Sequence, residues 1–162
     1  MALVGFMGSG KTTVGRLLAR STGRDFVDLD AEVERRAGRA VPEIFAEGGE
    51  DLFRDLEHDA LLAALDRPDP AVISCGGGAI LRDENRAALR TTPTVFLAED
   101  VDVLYRRTRG GNRPLRGHSR DDFARRLADR LPLYREVADL EVHADGRGAA
   151  AVTGEVERWL RR

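Results

Sequence analysis

Residues Gly5 to Thr12, GFMGSGKT, set glycines, a lysine and a threonine at the spacing G-x-x-x-x-G-K-[ST]. Between a strand and a helix, such a stretch cradles the phosphates of a nucleotide. Backbone N–H groups around Gly8, Ser9, Gly10, Thr12 and Thr13 hold phosphate oxygens at the start of the helix. The Lys11 ammonium reaches the terminal phosphates and the Thr12 hydroxyl ligates Mg²⁺. The alternative is a glycine turn that merely links two elements. Against it stands the lysine: of 26 basic residues it is the single one that is not arginine. A compact ammonium fits between phosphates where a planar guanidinium does not. The loop leaves open whether the phosphate goes to water or to an acceptor molecule.

Other residues bear on the acceptor. Asp28 and Asp30, in DLD, lie two apart. In extended chain their side chains point the same way, so one can hold a magnesium-bound water and the other an acceptor hydroxyl. The alternative for either is a helix N-cap. Arg54 and Glu57, beside Phe53, share one side of a helix, which gives a solvated ion pair or an arginine fork for a planar carboxylate. In CGGGAI, Gly76, Gly77 and Gly78 allow a small ligand to lie on bare backbone, or form only a tight strand exit; Cys75 reads as a small packing residue. Arg107, Arg109, Arg113 and Arg116 crowd one loop. Arg109 and Arg116 read as solvated surface. Arg113, fixed beside a proline in RPL, suits a loop arginine that neutralises charge during phosphoryl transfer. Arg130 before LPLY and Arg147 before the last helix are, taken alone, either solvated cations or anion ligands. His58, His118 and His143 are scattered without metal-ligand spacing, and Trp159 reads as packing.

The elements that must position these residues follow from periodicity and breakers. Strands are expected at Ala2–Gly5, Asp25–Asp28, Ala71–Ser74, Thr94–Ala98 and Leu140–His143. Helices are expected at Lys11–Ser21, Asp30–Ala37, Glu50–Leu65, Asp83–Leu89, Val101–Thr108, Arg120–Val137 and Ala149–Leu160, with a helical turn at Pro42–Ala46 and a loop at Arg109–Ser119. Pro132 is tolerated in its helix or kinks it. Strands alternating with helices imply a parallel sheet covered on both faces, with ligands beyond the strands' C-terminal ends.

Size and composition bound the rest. The chain has 162 residues, 42% hydrophobic and 33% charged, which suits one soluble domain. No apolar run approaches a membrane span and no signal peptide is evident, so a cytoplasmic location is expected. One cysteine excludes an internal disulfide. The net charge of −2 gives no reason to expect a nucleic-acid partner. Residues 25 to 66 are rich in acids, whereas arginines crowd residues 105 to 135. With no long exposed apolar stripe, a monomer is expected.

Taken in order, these pieces resemble the shikimate kinase family: GFMGSGKTTVGR at 5–16, DLD at 28–30, EDLFRDLE at 50–57, GGG at 76–78, RPL at 113–115, RLPLY at 130–134, and Arg147. They span nearly the whole chain. The resemblance implies a three-layer α/β fold of the P-loop, nucleoside monophosphate kinase type, with a five-stranded parallel sheet flanked by helices. It implies one domain over 1–162, a shikimate-binding helical region at about 30–62 and a mobile lid at about 107–119. The implied reaction is phosphorylation of the 3-hydroxyl of shikimate by Mg·ATP, a step towards chorismate and the aromatic amino acids. Lys11, Asp30 and Arg113 would be catalytic. Asp30 would contact the shikimate hydroxyls, Arg54 and Arg130 its carboxylate, and Gly77 with its neighbours Gly76 and Gly78 its ring, with Phe53 also substrate-binding. Asp28 would organise magnesium through water, with Arg107 and Arg147 near the adenine. Two features depart from the family: few residues precede the first strand, and RTRGGNRPLRGHS differs in length and charge. A kinase for another small hydroxylated acid, such as gluconate, is the nearest rival. A GTPase switch is a more distant one, since an N/T-K-x-D guanine motif needs a second lysine.

Overall fold

The structure is a computed structural model in which residues 1–109 and 119–162 are described. Short apolar runs form a five-stranded, all-parallel sheet: β1 (Ala2–Val4), β2 (Asp25–Asp28), β3 (Ala71–Ser74), β4 (Thr94–Ala98) and β5 (Leu140–His143), in the order β2-β3-β1-β4-β5. β1, β3 and β4 are buried throughout, as their unbroken hydrophobic runs require. From β1 the chain first builds one edge of the sheet, then returns past β1 to build the other. The crevice of such a sheet opens at that reversal, beyond the C-terminal end of β1. Pairing of Asp28 with Ser74 and of Leu3 with Ser74 brings the C-terminal ends of β1, β2 and β3 level there.

Successive strand residues face opposite ways and build two cores. Leu3, Val72, Val95 and Leu97 pack with Val14 and Leu18 of α1 (Lys11–Thr22) and with Val152 and Val156 of α7 (Ala149–Leu160). Trp159 packs against the same cluster, as its sequence context predicts. Ala2, Val4, Ile73 and Phe96 face the other helices: α2 (Leu29–Ala37), α3 (Val41–Leu65), α4 (Asp83–Arg90), α5 (Val101–Arg107) and α6 (Arg120–Val137). Among the described residues, no helix is long and apolar enough to cross a membrane.

Among the described residues the five strands and seven helices lie where the sequence pattern puts them, and two local features differ. The predicted turn at Pro42–Ala46 and helix from Glu50 are two arms of α3, whose helical dihedrals break at Gly49 (φ 69°, ψ −160°). That left-handed φ is one that glycine adopts without strain. A short 3₁₀ turn, Ala79–Leu81, follows the glycines; three residues are too few to show a period. As expected, Pro132 is tolerated within α6, which continues to Val137.

One surface cluster sets a pH dependence. On α2, Glu32 accepts from Arg35 Nε and Nη2 (2.9 and 2.6 Å) and from Arg36 Nε (2.6 Å). The Arg35 hydrogen bond is the main cause holding the Glu32 carboxyl at about 2, well below the ordinary 4.5. A depressed carboxyl stabilises the fold above its unfolded value and loses that contribution as pH falls towards 2. Because Arg35, the main partner, stands largely in solvent, the contribution is at most about 1 kcal/mol. Urea titrations at stepped pH should therefore show Glu32→Gln flattening the loss of stability between pH 4.5 and 2. A slope equal to that of the parent chain would show that the cluster contributes nothing.

Candidate active site

The loop after β1 ends at Gly10, whose φ of 89° places the cap of α1 in the left-handed region, so that Lys11 opens the helix beneath the loop. Lys11 is 8% exposed, and its ammonium donates to Gly5 O (2.8 Å), Phe6 O (2.9 Å) and Ser9 Oγ (3.3 Å). Thr12 Oγ1 donates to Asp28 Oδ2 at 2.9 Å, joining the start of α1 to the end of β2. The other carboxylate oxygen of Asp28 accepts from Ala31 N at 3.4 Å. Asp28 is thus the N-cap of α2 and a neighbour of the loop at once. The expectation that Asp28 and Asp30 point alike from an extended strand is corrected. The strand stops at Asp28, and Asp30 sits in the first turn of α2. Both still line one cavity of about 820 Å³, because the first turn of α2 lies at the rim of the sheet.

Across that cavity α3 supplies Phe53, Arg54 and Glu57. The solvated ion pair is excluded: Arg54 and Glu57 are 7% and 1% exposed, with Arg54 Nη1 donating to Glu57 Oε2 at 2.6 Å. Arg54 also donates to Glu50 Oε1 from Nη2 and Nε (2.9 and 3.1 Å), and its guanidinium lies 5.2 Å from the Phe53 ring centre. Burial pushes the Glu57 carboxyl above its usual range, offset in part by Arg54, while the charge of Asp30 raises it further. Glu57 Oε1 accepts no hydrogen bond among the described residues.

Arg130 enters from α6, 6% exposed, over the Phe6 ring at 5.5 Å. Its guanidinium pKa is lowered by burial first, with the charges of Arg54 and Arg126 adding to the effect. Arg54 is already paired with Glu50 and Glu57, whereas Arg130 forms no salt bridge among the described residues, so an anion in the cavity would relieve chiefly the buried charge of Arg130.

The floor between these halves is Gly76-Gly77-Gly78. A methyl group on Gly76 would stand 2.3 Å from Glu57 Oε1 and 3.0 Å from Asp30 Oδ1. One on Gly78 would stand 2.3 Å from Arg54 Nη2, and one on Gly77 3.3 Å from Met7 N of the loop. The three glycines are therefore the space through which Asp30, Glu57, Arg54 and the Gly5–Thr12 loop meet. Cys75 beside them is fully buried packing, its thiol pushed up to about 12 by burial.

The family model described as "Shikimate kinase" matches residues 7–161. The shikimate kinase of Chromohalobacter salexigens is 46% identical over 164 residues, covering 99% of this chain and 91% of that protein. That of Rhodococcus erythropolis is 40% identical, covering 95% and 92%. Among solved structures, shikimate kinase from Acinetobacter baumannii, in complex with shikimate, superposes with a TM-score of 0.92 at 38% identity, covering 98% of this chain and 90% of that one. Shikimate kinase from Aquifex aeolicus gives 0.88 at 34% identity, covering 99% and 95%. The chain belongs to the shikimate kinase family.

Most residues that the family resemblance singled out converge on the one cavity. Gly8, Ser9, Gly10, Lys11, Thr12 and Thr13 line it from the loop and the start of α1, and Asp28, Asp30, Phe53, Arg54, Gly76, Gly77, Gly78 and Arg130 line it from the other elements. Arg107 and Arg147 line it too, each tied to an acid: Arg107 Nη1 lies 3.1 Å from Glu99 Oε2 and donates to Gly8 O at 3.3 Å, and Arg147 Nη2 donates to Glu155 at 2.6 Å. Arg113, Arg116, His118 and most of the expected lid lie outside the described residues. Arg109 lies 5.7 Å from the Tyr105 ring and away from the cavity. His58 is hydrogen-bonded to Asn85, and His143 pairs with Glu141 at the sheet edge. Sequence reasoning missed Glu50 and Tyr134 as supports of the site. The spacing of four between Glu50 and Arg54, and between Arg130 and Tyr134, was the available signal, since it puts each pair on one helical face.

Proposed function

We propose that this chain transfers the γ-phosphoryl group of ATP to the 3-hydroxyl of shikimate, giving shikimate 3-phosphate and ADP, on the route to chorismate and the aromatic amino acids. The observation that carries the reading is that one cavity joins the Gly5–Thr12 loop to two buried arginines, Arg54 and Arg130, across a floor of three glycines. A cationic pair suits the acceptor's carboxylate, and Asp30 suits its hydroxyls. Phosphoryl transfer passes through a loose transition state, so catalysis rests on positioning and charge neutralisation. Backbone N–H groups of Gly8 to Thr13 hold the phosphates, while Lys11 and Arg113 neutralise the charge that develops on the transferred group. Asp30 orients the attacking hydroxyl and accepts its proton, and Phe53 and Gly76 to Gly78 hold the ring. Arg107 and Arg147 flank the adenine.

Thr12 Oγ1 and the Asp28 carboxylate, 2.9 Å apart, form the oxygen donor set that a hard divalent cation requires. Thr12 would bind Mg²⁺ directly and Asp28 through water, and the ion, when bound, supplies charge neutralisation to the phosphates. Residues 30–62 form the acceptor-binding region and 107–119 the lid of a single domain. The enzyme works as a cytoplasmic monomer, without nucleic-acid or membrane partners. Among the described residues, Leu62 and Leu81 are the exposed large apolar side chains, too few for an obligate interface.

Coupling ADP release to added acceptor tests the reading. Release should depend on shikimate and remain at background with gluconate. Equal release without acceptor, or with gluconate in place of shikimate, would overturn it.

A further inference from the structure

Tyr134 carries a polar group into the core at a point that the proposed chemistry does not use. Its side chain is fully buried and stacked on Phe96, with ring centres 5.0 Å apart and planes within 15°. A buried tyrosine hydroxyl needs a partner, and this one donates its single proton to Gly77 O at 2.5 Å. Arg130 Nη1 donates to the same oxygen at 3.2 Å, so two donors occupy both lone pairs of one carbonyl. That carbonyl belongs to the middle of the glycine floor. In a trans peptide the C=O and the next N–H point oppositely, so anchoring Gly77 O fixes the direction of the Gly78 N–H. Gly77 also packs without a side chain against Met7 N and Gly5 O of the phosphate loop. The orientation of this peptide therefore sets how the acceptor floor lies against the donor loop.

We infer that Tyr134 is a positioning residue for phosphoryl transfer: its hydroxyl fixes the Gly77–Gly78 peptide and thereby holds the acceptor in register with the phosphate loop. The inference rests on the proposed acceptor site. The two donors are not equivalent. Arg130 has further N–H groups to share with an acceptor carboxylate, whereas the tyrosine has one proton and spends it on Gly77. Burial raises the Tyr134 pKa above its ordinary value, so the hydroxyl remains a donor at any pH at which the enzyme is assayed. Glycines cannot fix this peptide by side-chain packing, which leaves it to hydrogen bonds from outside the loop.

Tyr134→Phe removes the hydroxyl and keeps the stacked ring, and Phe96→Leu weakens the stack and keeps the hydroxyl. Both are measured for shikimate affinity by calorimetry, for the KM of each substrate, and for shikimate 3-phosphate formed per ADP released. Tyr134→Phe should weaken shikimate binding and raise its KM about tenfold, lower the product-to-ADP ratio, and leave the ATP KM within about twofold. Phe96→Leu should lower the urea midpoint while keeping the product-to-ADP ratio of the parent. If Tyr134→Phe lowers only the urea midpoint, the hydroxyl is structural and the inference is wrong. Failure of the parent chain to bind shikimate would sink the acceptor site and the inference together, whereas normal binding and coupling in Tyr134→Phe sinks the inference alone.

Discussion

Lys11→Arg is expected to lower kcat at least about 10³-fold while leaving the chain folded. The ammonium has three donors and finds three acceptors within 3.3 Å: Gly5 O, Phe6 O and Ser9 Oγ. These acceptors surround a space shaped for a point charge. A guanidinium is planar and forked, so it cannot present the same donors to the loop or slide between phosphates. The helix itself loses little, because arginine forms helix about as well as lysine. Rapid-quench turnover and urea denaturation measured together check both halves. Turnover above one tenth of the parent value would refute the requirement for lysine. Loss of folding would move the effect from chemistry to structure.

Arg54→Ala is expected to raise the KM for shikimate about 100-fold or more and leave the ATP KM nearly unchanged, since a charge-assisted fork to the acceptor is lost. The structure adds a second consequence that the residue type does not announce. Glu57 is 1% exposed and its nearest cation is Arg54, so truncation strands a buried carboxylate. Removing one partner of a buried pair costs about 3 kcal/mol or more. The double variant Arg54→Ala/Glu57→Gln should recover at least about 1 kcal/mol of that loss and none of the shikimate affinity. Steady-state kinetics beside urea denaturation separate the two effects. Recovery of the shikimate KM in the double variant, or a defect confined to ATP, would show that Arg54 acts only through the fold.

What each level of description reveals can be seen in these residues. The phosphate loop is legible in sequence because its spacing, its glycines and the single lysine all act within eight residues. The strands and helices are legible because burial repeats with the period of the element. Arg54 and Glu57 show where that legibility stops. Their spacing announces a pair, but a pair at i, i+3 looks alike in solvent and in a core. Its burial depends on what α3 packs against, which is α2, α4, the glycine floor and the 3₁₀ turn after it. Asp28 and Asp30 show the same limit from another side. The two-residue period of a strand predicts a shared direction, and the start of α2 at Leu29 removes the premise.

By itself, the sequence determined the parallel α/β architecture, the phosphate loop and the inventory of acids, arginines and glycines available for an acceptor. Each depends on near neighbours in the chain or on a hydrophobic period. The tertiary structure alone decided that Arg54 is buried on Glu57 and that Asp28 both caps α2 and accepts from Thr12. It also decided that Tyr134 holds the carbonyl of Gly77 from 57 residues away. These are contacts between elements, fixed by how helices pack on a twisted sheet, and no local spacing encodes which side chain meets which.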